Sequence, residues 1–548
     1  MSDPAVSVSY QSLPPILSSG DRPVGVRGSR PAEFDKGVLD GKTFDAIETD
    51  QLFDSLNHAV THAGQSVLYR SLARPGTDAS MVRKKQEALQ ELKSNPALRE
   101  ALCKFIHGMV RGEQSLYQLL YGTFNGGFSI ENSNTARDEM EFSGYGYHQF
   151  IDGTGFAVDL VEGVETLPQP RSAYMRDLFG AIRDFSNSRI YSLMQGPVYP
   201  MEGKFKTRDE KLRYFPFPRF TPSVIKPIPM LSAMAAVGAA LYLFQDFLAN
   251  FGIAFLGYGI LALALLILPV LLIAIGTSDR DSVIYPLRKL FKHSPELERV
   301  LETMGMLDEI LSFHRYSQVF GGKMALPEIV ESERHSLCVT EARNPLLAKT
   351  NLNYVPNDIS LDDAGRLLVI TGPNSGGKTA YCKTVVQIQL LAQIGCYIPA
   401  AHARAVLAER IFYQVPDPGH LDEGMGRFAH ELKRTREIFF NSTARCLVVL
   451  DELSEGTTFE EKMDLSEYVL AGFHKLGAST LLVTHNHELC ERLQEKGIGR
   501  YLQGEFLPPG PTYRLIPGVS RVSHADRVAA ALGFSKKDVE KHLSTRGT

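Results

Sequence analysis

The chain has 548 residues, of which 22% are charged and 44% hydrophobic, and its formal net charge is −4. This length and composition predict about two to four domains and exclude a disordered chain or one embedded entirely in a membrane. The 58 basic and 62 acidic residues do not indicate nucleic-acid binding over the average surface, and the six scattered cysteines, without a C-x-x-C pair, fit a reducing compartment better than a disulfide framework or a zinc ribbon.

The N-terminal part of the chain is predicted to be helical after a flexible tail. Residues 1–43 lack the basic and apolar segments of a signal peptide, so we predict a tail there. Residues 44–226 are predicted to form the first part of a helical domain. Apolar residues recur at helical spacing in SVLYRSLARP, in VRKKQEALQELKSNPALREALCKFI and again around 171–195, whereas residues 123–170 give no clear assignment.

Two uncharged runs follow. Residues 227–245 contain no charge, and after Asp246 residues 247–278 contain none either. The fifteen Leu, Ile, Val or Phe residues of Ile253–Gly276 favour membrane insertion by about 5 to 9 kcal/mol. We predict a transmembrane hairpin at 227–276, with spans at about 227–244 and 253–276. The alternative is a hairpin buried in the core of a large protein.

Basic residues flank both runs, and the intervening loop has none. By the positive-inside bias, both flanks are predicted to be cytoplasmic, and the two spans are predicted to lie in the bacterial cytoplasmic membrane. The stretch KFKTRDEKLRYFPFPRF suits a lipid interface or, alternatively, an ordinary solvated loop. Residues 277–326 are predicted to complete the helical domain.

From 327 to 520 the pattern predicts an α/β domain. The runs RLLVI (366–370), CLVVLD (446–451) and LLVTH (481–485) have the composition of buried parallel strands. Residues 521–548 are predicted to form a C-terminal helix-turn-helix broken at Gly533.

A phosphate-binding motif directly follows the first of these strands. It fits G-x-x-x-x-G-K-[ST] and consists of Gly372, Pro373, Asn374, Ser375, Gly376, Gly377, Lys378 and Thr379. Its glycines allow backbone N–H groups to surround phosphate, and helix-forming sequence follows, as the motif requires. We expect Lys378 to reach the β- and γ-phosphates and Thr379 to ligate Mg²⁺. A chance match in a glycine-rich loop is the alternative.

Two further strand ends carry candidate catalytic residues. Asp451 is predicted to hold the metal's water shell, and Glu452 to act as the base that orients the attacking water. A helix N-cap is the alternative for this acidic pair. His485, after the strand LLV, is predicted to sense the γ-phosphate and hold the water, with His487 as a competing candidate.

The sequence TGPNSGGKTAYCKTVVQIQLLAQIGCYIPA (371–400) resembles the ATPase core of the MutS family of DNA mismatch repair proteins. The similarity continues at 428–458, 483–489 and 517–534, and residues 52–92 resemble the start of the family's helical core domain. The resemblance implies an ABC-type α/β P-loop NTPase domain preceded by an all-α MutS core/lever-like domain, interrupted here by the two-helix transmembrane hairpin.

The resemblance also implies a homodimer with two composite sites for ATP and Mg²⁺. Each site takes its P-loop from one subunit and a signature segment from the other, and by position that segment is GRFAHEL (426–432). Gly426 replaces the family's usual serine. We hypothesise that Arg427 contacts the γ-phosphate instead, like an arginine finger; the alternative is a surface arginine at a helix start. Residues 523–543 resemble the family's dimerising helix pair.

The implied function is a membrane-anchored MutS-family ATPase that binds mismatched, damaged or branched DNA in repair. The segment before residue 52 lacks the family's Phe-x-Glu mismatch wedge, and the hairpin stands where the family has levers and a DNA clamp. These departures favour an alternative, a scaffold or mechanical ATPase tethered to the lipid bilayer with no DNA role. Two spans without a buried ionisable residue argue against a transporter half, and the lack of heptads argues against a coiled-coil chromosome ATPase.

Overall fold

A helical part comes first in the chain, and an α/β part follows it. The computed structural model describes residues 16–18, 20–33, 35–126, 144–201, 204–210, 219–222, 235–236, 238–240, 242–244, 254–351, 353–373, 376–416, 427–453, 459–507, 510–520 and 533–545. The elements of the helical part are α1 (Gly41–Ala46), α2 (Thr49–Leu56), α3 (His62–Ala73), α4 (Ala79–Ser94), α5 (Pro96–Tyr121), α6 (Tyr147–Thr166), α7 (Ala173–Phe185), α8 (Arg189–Gln195), β1 (Tyr199–Met201), β2 (Lys204–Lys206), α9 (Ala254–Asp279), a π-helical turn (Arg280–Ile284), α10 (Tyr285–Lys292) and α11 (Pro295–Val319).

The α/β part contains two sheets. Its elements are β3 (Glu328–Val330), β4 (Leu337–Ala342), α12 (Leu347–Thr350), β5 (Asn357–Leu361), β6 (Leu367–Thr371), α13 (Lys378–Gln393), β7 (His402–Val406), β8 (Ile411–Gln414), α14 (Arg427–Phe440), β9 (Leu447–Asp451), α15 (Phe459–Leu476), β10 (Ser479–Val483), α16 (His487–Glu495), β11 (Arg500–Leu507), β12 (Gly510–Pro517) and α17 (Lys536–Thr545). The larger sheet has the order β12-β11-β6-β10-β9-β8, and the smaller one β3-β7-β4-β5.

The three predicted strands are confirmed as the centre of the larger sheet. Strands β6, β9 and β10 pair in parallel, and all their residues are buried. A parallel strand covered by helices on both faces needs an uninterrupted apolar run, which is why these segments are identifiable from sequence. Of the predicted C-terminal helix pair, the second helix corresponds to α17, and residues 521–532 lie outside the described residues.

Helix α11 is the centre of the helical part. It packs against α3, α4 and α7, and it carries buried carboxylates. Asp308 accepts hydrogen bonds from the backbone N–H groups of Val60 and Thr61, at 2.9 and 2.8 Å. Residue 64 is glycine because a Cβ there would lie 2.3 Å from a carboxylate oxygen of Asp308. The close approach lets this carboxylate satisfy N–H groups at the start of α3 that have no partner within the helix.

A second carboxylate, Glu113 of α5, binds the same helix start. It accepts from the backbone N–H groups of His62 and Ala63, each at 2.8 Å. Burial raises the pKa of Glu113 to about 7; the two N–H groups oppose this rise, and the nearby Asp308 adds to it. Because the pKa is higher in the folded chain, Glu113 stabilises the fold fully below its unfolded pKa of 4.5, and this contribution is lost as the pH rises through about 7.

We therefore expect Glu113→Gln to flatten the pH dependence of stability. The free energy of unfolding, measured by urea titration at pH 5 and pH 8, should change between these pH values by about 2.5 kcal/mol less in the variant than in the wild type. Glu165→Gln, the same change at an exposed position of α6, is the control. An unaltered pH dependence in Glu113→Gln would mean that Glu113 is ionised throughout this range.

The predicted transmembrane hairpin at 227–276 is wrong. The membrane-spanning part of the fold class, the two-span membrane localisation and the lipid bilayer as a partner are corrected with it. In the part of the chain that the structure describes, no helix has both the length and the apolar content needed to cross a membrane. Most of the first predicted span, 227–244, and the connection at 245–253 lie outside the described residues.

The end of the second predicted span, 253–276, packs on protein. Leu272 of α9 packs against the hydrophobic core, and Gly276 lies so close to the Tyr145 ring that a Cβ would be 2.8 Å from its atoms. Just beyond the run, the Tyr147 hydroxyl donates to Asp279 at 2.7 Å. An apolar run indicates that its side chains avoid water. At this end of α9 they are shielded from water by other protein side chains.

Part of the segment predicted as an N-terminal tail packs against the rest of the chain. Ile16 and Leu17 are buried, and their backbone N–H groups donate to the carboxylate of Glu298 on α11. Further along, Val38 and Leu39 are buried as well. Backbone donors near the N-terminus therefore have defined partners in the helical part, which apolar periodicity alone does not reveal.

Candidate functional site

The parallel strands bring three chain segments together at one edge of the larger sheet. Val483 at the end of β10 is in register with Ile370 of β6 on one side and with Asp451 of β9 on the other. Since the carboxyl ends of parallel strands lie at the same edge, the residues that follow each strand are neighbours. The predicted phosphate loop, the acidic pair and the predicted histidine all follow these strands.

The phosphate loop connects β6 to α13. Gly372 has φ +125° and Gly377 has φ +80°, values that side-chain-bearing residues rarely adopt. Gly377 is the N-cap of α13, so Lys378 and Thr379 lie in the first turn, where free N–H groups favour an anion. Pro373 and Gly376 are described, whereas Asn374 and Ser375 lie outside the described residues.

The ammonium group of Lys378 is folded back onto its own loop. Its Nζ donates to the carbonyl oxygen of Gly372 at 2.5 Å and to that of Pro373 at 2.8 Å. Burial lowers the pKa of Lys378 to about 8, and the negative charge of Asp451 opposes this decrease. A buried cation whose partners among the described residues are neutral carbonyls is ready to exchange them for phosphate oxygens.

Thr379 and Asp451 form an oxygen-rich contact beside this lysine. The Thr379 hydroxyl donates to Oδ2 of Asp451 at 3.3 Å, and Asp451 is buried. A hydroxyl and a carboxylate are hard ligands of the kind that Mg²⁺ takes alongside water and phosphate oxygens. Their separation is short enough for both to face a single ion, so these residues fit a magnesium site that a bound nucleotide would complete. No cluster of three or more metal-ligating His, Cys, Asp or Glu side chains occurs among the described residues.

Glu452 stands at the mouth of the site in a strained conformation. Its φ is +63°, in the left-handed region, and its N–H donates to the Val483 carbonyl at 3.0 Å. Non-glycine residues in this region cluster at functional sites, because the surrounding structure must hold them there. Oε1 of Glu452 lies 3.3 Å from Nε2 of His485. The Glu452 carboxylate thus lies beside the histidine.

Glu452 and both candidate histidines line a cleft of about 410 Å³, together with Lys462 and Thr484. Of the two histidines, His485 makes the contact with Glu452. His487 is the first residue of α16, and its Nδ1 is buried without a hydrogen-bond partner within the described part of the chain. The geometry therefore places His485, and not His487, in contact with the predicted base.

Arg427 is the first residue of α14. Its side chain and Gly426 lie outside what the structure describes, so the arginine-finger hypothesis stays a prediction. Later in the same helix, Glu431 and Arg434 are buried. The signature segment therefore begins a helix whose following turns are packed into the domain.

Tyr513 is a candidate that the sequence did not indicate. It lies on β12 with φ +59°, and its side chain is 55% exposed. A Cβ at Gly377 would lie 3.5 Å from its ring, so the tyrosine stands directly beside the phosphate loop. The Asn357 side chain holds this strand by donating to the Tyr513 carbonyl and accepting from the N–H of Leu515, at 3.0 and 2.8 Å. No local motif marks Tyr513, because its place depends on the pairing of β12 at the sheet's edge.

A glycine loop between a central parallel strand and a helix, with an acidic pair at the end of the next strand but one in the sheet, defines the class of P-loop NTPase domains. Comparison with known families matches residues 368–500 to MutS domain V. The chain is 35% identical over 202 residues to the DNA mismatch repair protein MutS of Brevibacillus brevis, which is 36% of this chain and 23% of the relative. It is 38% identical over 178 residues to MutS of Chlorobium chlorochromatii (31% and 20%) and 36% identical over 248 residues to MutS of Chlorobium phaeovibrioides (43% and 27%).

The chain spans about a quarter of the length of these curated relatives. The matches support the resemblance to the MutS family over the P-loop domain. They give no support to a membrane-spanning variant of that family.

Proposed function

We propose that this chain binds ATP with Mg²⁺ and hydrolyses it as a MutS-type ATPase. The observation that carries the proposal is the convergence of Lys378, the Thr379–Asp451 contact and the Glu452–His485 contact at one edge of a parallel sheet. Glycine loops of this kind bind the phosphates of many nucleotides, so it is the acidic pair beside the loop that favours hydrolysis.

Each side chain has a separate task in this proposal. Lys378 leaves the carbonyls of its loop and pairs with the β- and γ-phosphates, while Thr379 and Asp451 hold the metal ion that offsets their charge. Glu452 accepts a proton from the attacking water, and His485 orients the Glu452 carboxylate and the γ-phosphate. The strained backbone at Glu452 fixes the carboxylate before substrate arrives, which reduces the reorganisation needed in the transition state.

We further propose that the active form is a homodimer with composite sites, as the resemblance to MutS implies. In this arrangement the start of α14, with Arg427, serves the nucleotide bound by the partner subunit. Magnesium-dependent phosphate release that rises with the fraction of dimer, measured by sedimentation at each concentration, would support the proposal. Turnover by a monomer at full rate would contradict the composite site.

The base of the nucleotide is proposed to stack on Tyr513. We expect Tyr513→Ala to weaken ATP binding by about tenfold, since stacking on an aromatic ring contributes about 1–3 kcal/mol. Tyr513→Phe keeps the ring and should bind ATP as the wild type does. Titration with tripolyphosphate, which has no base, should give equal affinities for all three proteins; an equal loss for tripolyphosphate would instead indicate damage to the phosphate loop.

For the physiological role we propose DNA binding in repair, because the relatives are named DNA mismatch repair proteins. A net charge of −4 favours the second candidate, a scaffold or mechanical ATPase that binds no DNA. Fluorescence anisotropy with homoduplex, heteroduplex and branched DNA at low and high salt separates the two. Binding that weakens steeply with salt supports the first, and absence of binding at low salt to all three DNAs supports the second.

A further inference from the structure

A short segment near the N-terminus binds the edge of the larger sheet. This N-terminal segment, residues 35–50, contains α1 and the start of α2. The N–H of Ile411 donates to the Val38 carbonyl at 2.8 Å, and the N–H of Tyr413 donates to the Thr43 hydroxyl at 3.1 Å. Both donors belong to β8, the last strand of the sheet. The N-terminal segment is therefore part of the ATPase domain's surface, although it precedes the helical part in the chain.

The same segment holds helix α13, which begins at the phosphate loop. The Gln387 side chain donates to the Ile47 carbonyl at 2.8 Å. One turn nearer the loop, Lys383 binds the carboxylate of Glu48 at 2.7 Å. The start of α2 is thus attached to the helix whose first turn adjoins the phosphate loop.

The N-terminal segment also holds α14, the helix of the signature segment. Nη1 of Arg434 lies 2.7 Å from Oδ2 of Asp40, and the two side chains are only 10% and 3% exposed. Nη2 of Arg434 reaches the Thr43 hydroxyl at 3.5 Å. Oδ1 of Asp40, the other carboxylate oxygen, accepts from the N–H of Thr43 and caps α1. One carboxylate therefore fixes α1 and α14 relative to each other.

A cleft of about 380 Å³ opens beside the start of α14. His430 and Glu431 line the cleft on the side of α14, and Lys42 and Ala46 line it on the side of α1. Arg434 also borders this cleft and bridges to Asp40. A buried ion pair adds little net stability compared with apolar residues of similar size, and in some proteins it fixes the relative orientation of the elements that it joins. The ion pair between Arg434 and Asp40 is therefore well placed to control the orientation of α14.

We infer, on the basis of the proposed function, that Arg434 is a positioning residue of the ATPase. By binding Asp40 and Thr43, it holds α14, the signature helix, in the orientation that the partner subunit's nucleotide requires. The contact acts in trans, because α14 serves the partner's site. Helix α13 is attached to the same N-terminal segment. Phosphate binding in a subunit's own loop can therefore affect α14 through α13 and this segment.

The test compares Arg434→Gln and Asp40→Asn with the wild-type dimer. We expect kcat to fall about tenfold in Arg434→Gln, while the affinity of a single subunit's phosphate loop for tripolyphosphate stays within about twofold. Arg434→Lys keeps the charge and should recover part of kcat. Asp40→Asn retains the N-cap and removes only the negative charge that pairs with Arg434, so it gives a second measurement if Arg434→Gln does not fold.

Arg70→Gln is the matched control for loss of a buried ion pair. Arg70 binds Glu302 in the helical part, with exposures of 7% and 5%. We expect this control to lower the melting temperature about as much as Arg434→Gln does, with kcat unchanged. Equal kcat losses in Arg70→Gln and Arg434→Gln would overturn the inference, as would a lower melting temperature in Arg434→Gln without any loss of kcat.

Mixed dimers test whether Arg434 acts in trans. A dimer of one Arg434→Gln subunit and one Lys378→Ala subunit, purified through two different tags, contains one site with an intact phosphate loop and an intact signature helix. It should show about half the wild-type activity, since one of two symmetry-related sites is complete. Activity no higher than that of the parent variants would overturn action in trans. A wild-type dimer without magnesium-dependent ATPase activity would overturn the proposed function itself, and this inference with it.

Discussion

Replacing Glu452 with glutamine is expected to reduce kcat for ATP hydrolysis by about 10²- to 10³-fold and to leave ATP binding nearly unchanged. Glutamine has the shape of glutamate but cannot accept the proton of the attacking water. Lys378, Thr379 and Asp451, which bind the phosphates and the metal in our proposal, are untouched by this change. The measurements are phosphate release for kcat and equilibrium titration with ATP for the dissociation constant.

Glu495→Gln is a suitable control for the loss of one negative charge, because it makes the same change at the exposed end of α16. Its kcat should equal that of the wild type. If Glu452→Gln hydrolysed ATP at the wild-type rate, another group would have to be the base. A variant in which binding and kcat fall together would indicate that Glu452 supports the fold of the site and not the chemical step.

Replacing Lys378 with alanine is expected to weaken ATP binding by about 10- to 100-fold, since a charged hydrogen bond to phosphate contributes about 1.5–3 kcal/mol. The protein without nucleotide should keep its melting temperature within a few degrees. Burial of the ammonium group is itself unfavourable, as the lowered pKa of Lys378 indicates, and this offsets the loss of its two contacts to loop carbonyls.

Lys475→Ala removes the same charge at the far end of α15, next to the amino ends of the strands, and should bind ATP normally. The pH dependence of binding gives a further check. The pKa of Lys378 is about 8 in the protein without nucleotide, so ATP affinity of the wild type should fall as the pH rises above 8, where the amine loses its charge. Lys378→Ala should lack this dependence, and an identical pH profile in both proteins would contradict the assignment.

The parts of the site that local sequence determines were predictable. The loop from Gly372 to Thr379 needs a preceding buried strand and a following helix, and each of these has a strong local pattern. Asp451 is the last residue of an otherwise apolar strand, which also has a strong local pattern. The phosphate loop and Asp451 each lie at the carboxyl end of a strand. They come together because the carboxyl ends of parallel strands lie at the same edge of the sheet.

The parts that depend on distant segments were not predictable. Tyr513 reaches the phosphate loop only because β12 pairs at the edge of the sheet, and Asp40 meets Arg434 across most of the chain's length. Neither contact has a periodic pattern or a motif. The end of the second predicted span illustrates a related point: apolar content measures avoidance of water, and it does not distinguish lipid from a protein surface such as the one around Gly276.

The cover over β8 has a consequence for assembly. An outermost strand with free N–H and C=O groups is a template on which a second chain can add a strand. Here the N–H groups of Ile411 and Tyr413 are already bonded to Val38 and Thr43. A second chain could extend the sheet at this strand only after residues 38–43 had left it, so self-association by strand addition is suppressed on this side of the domain.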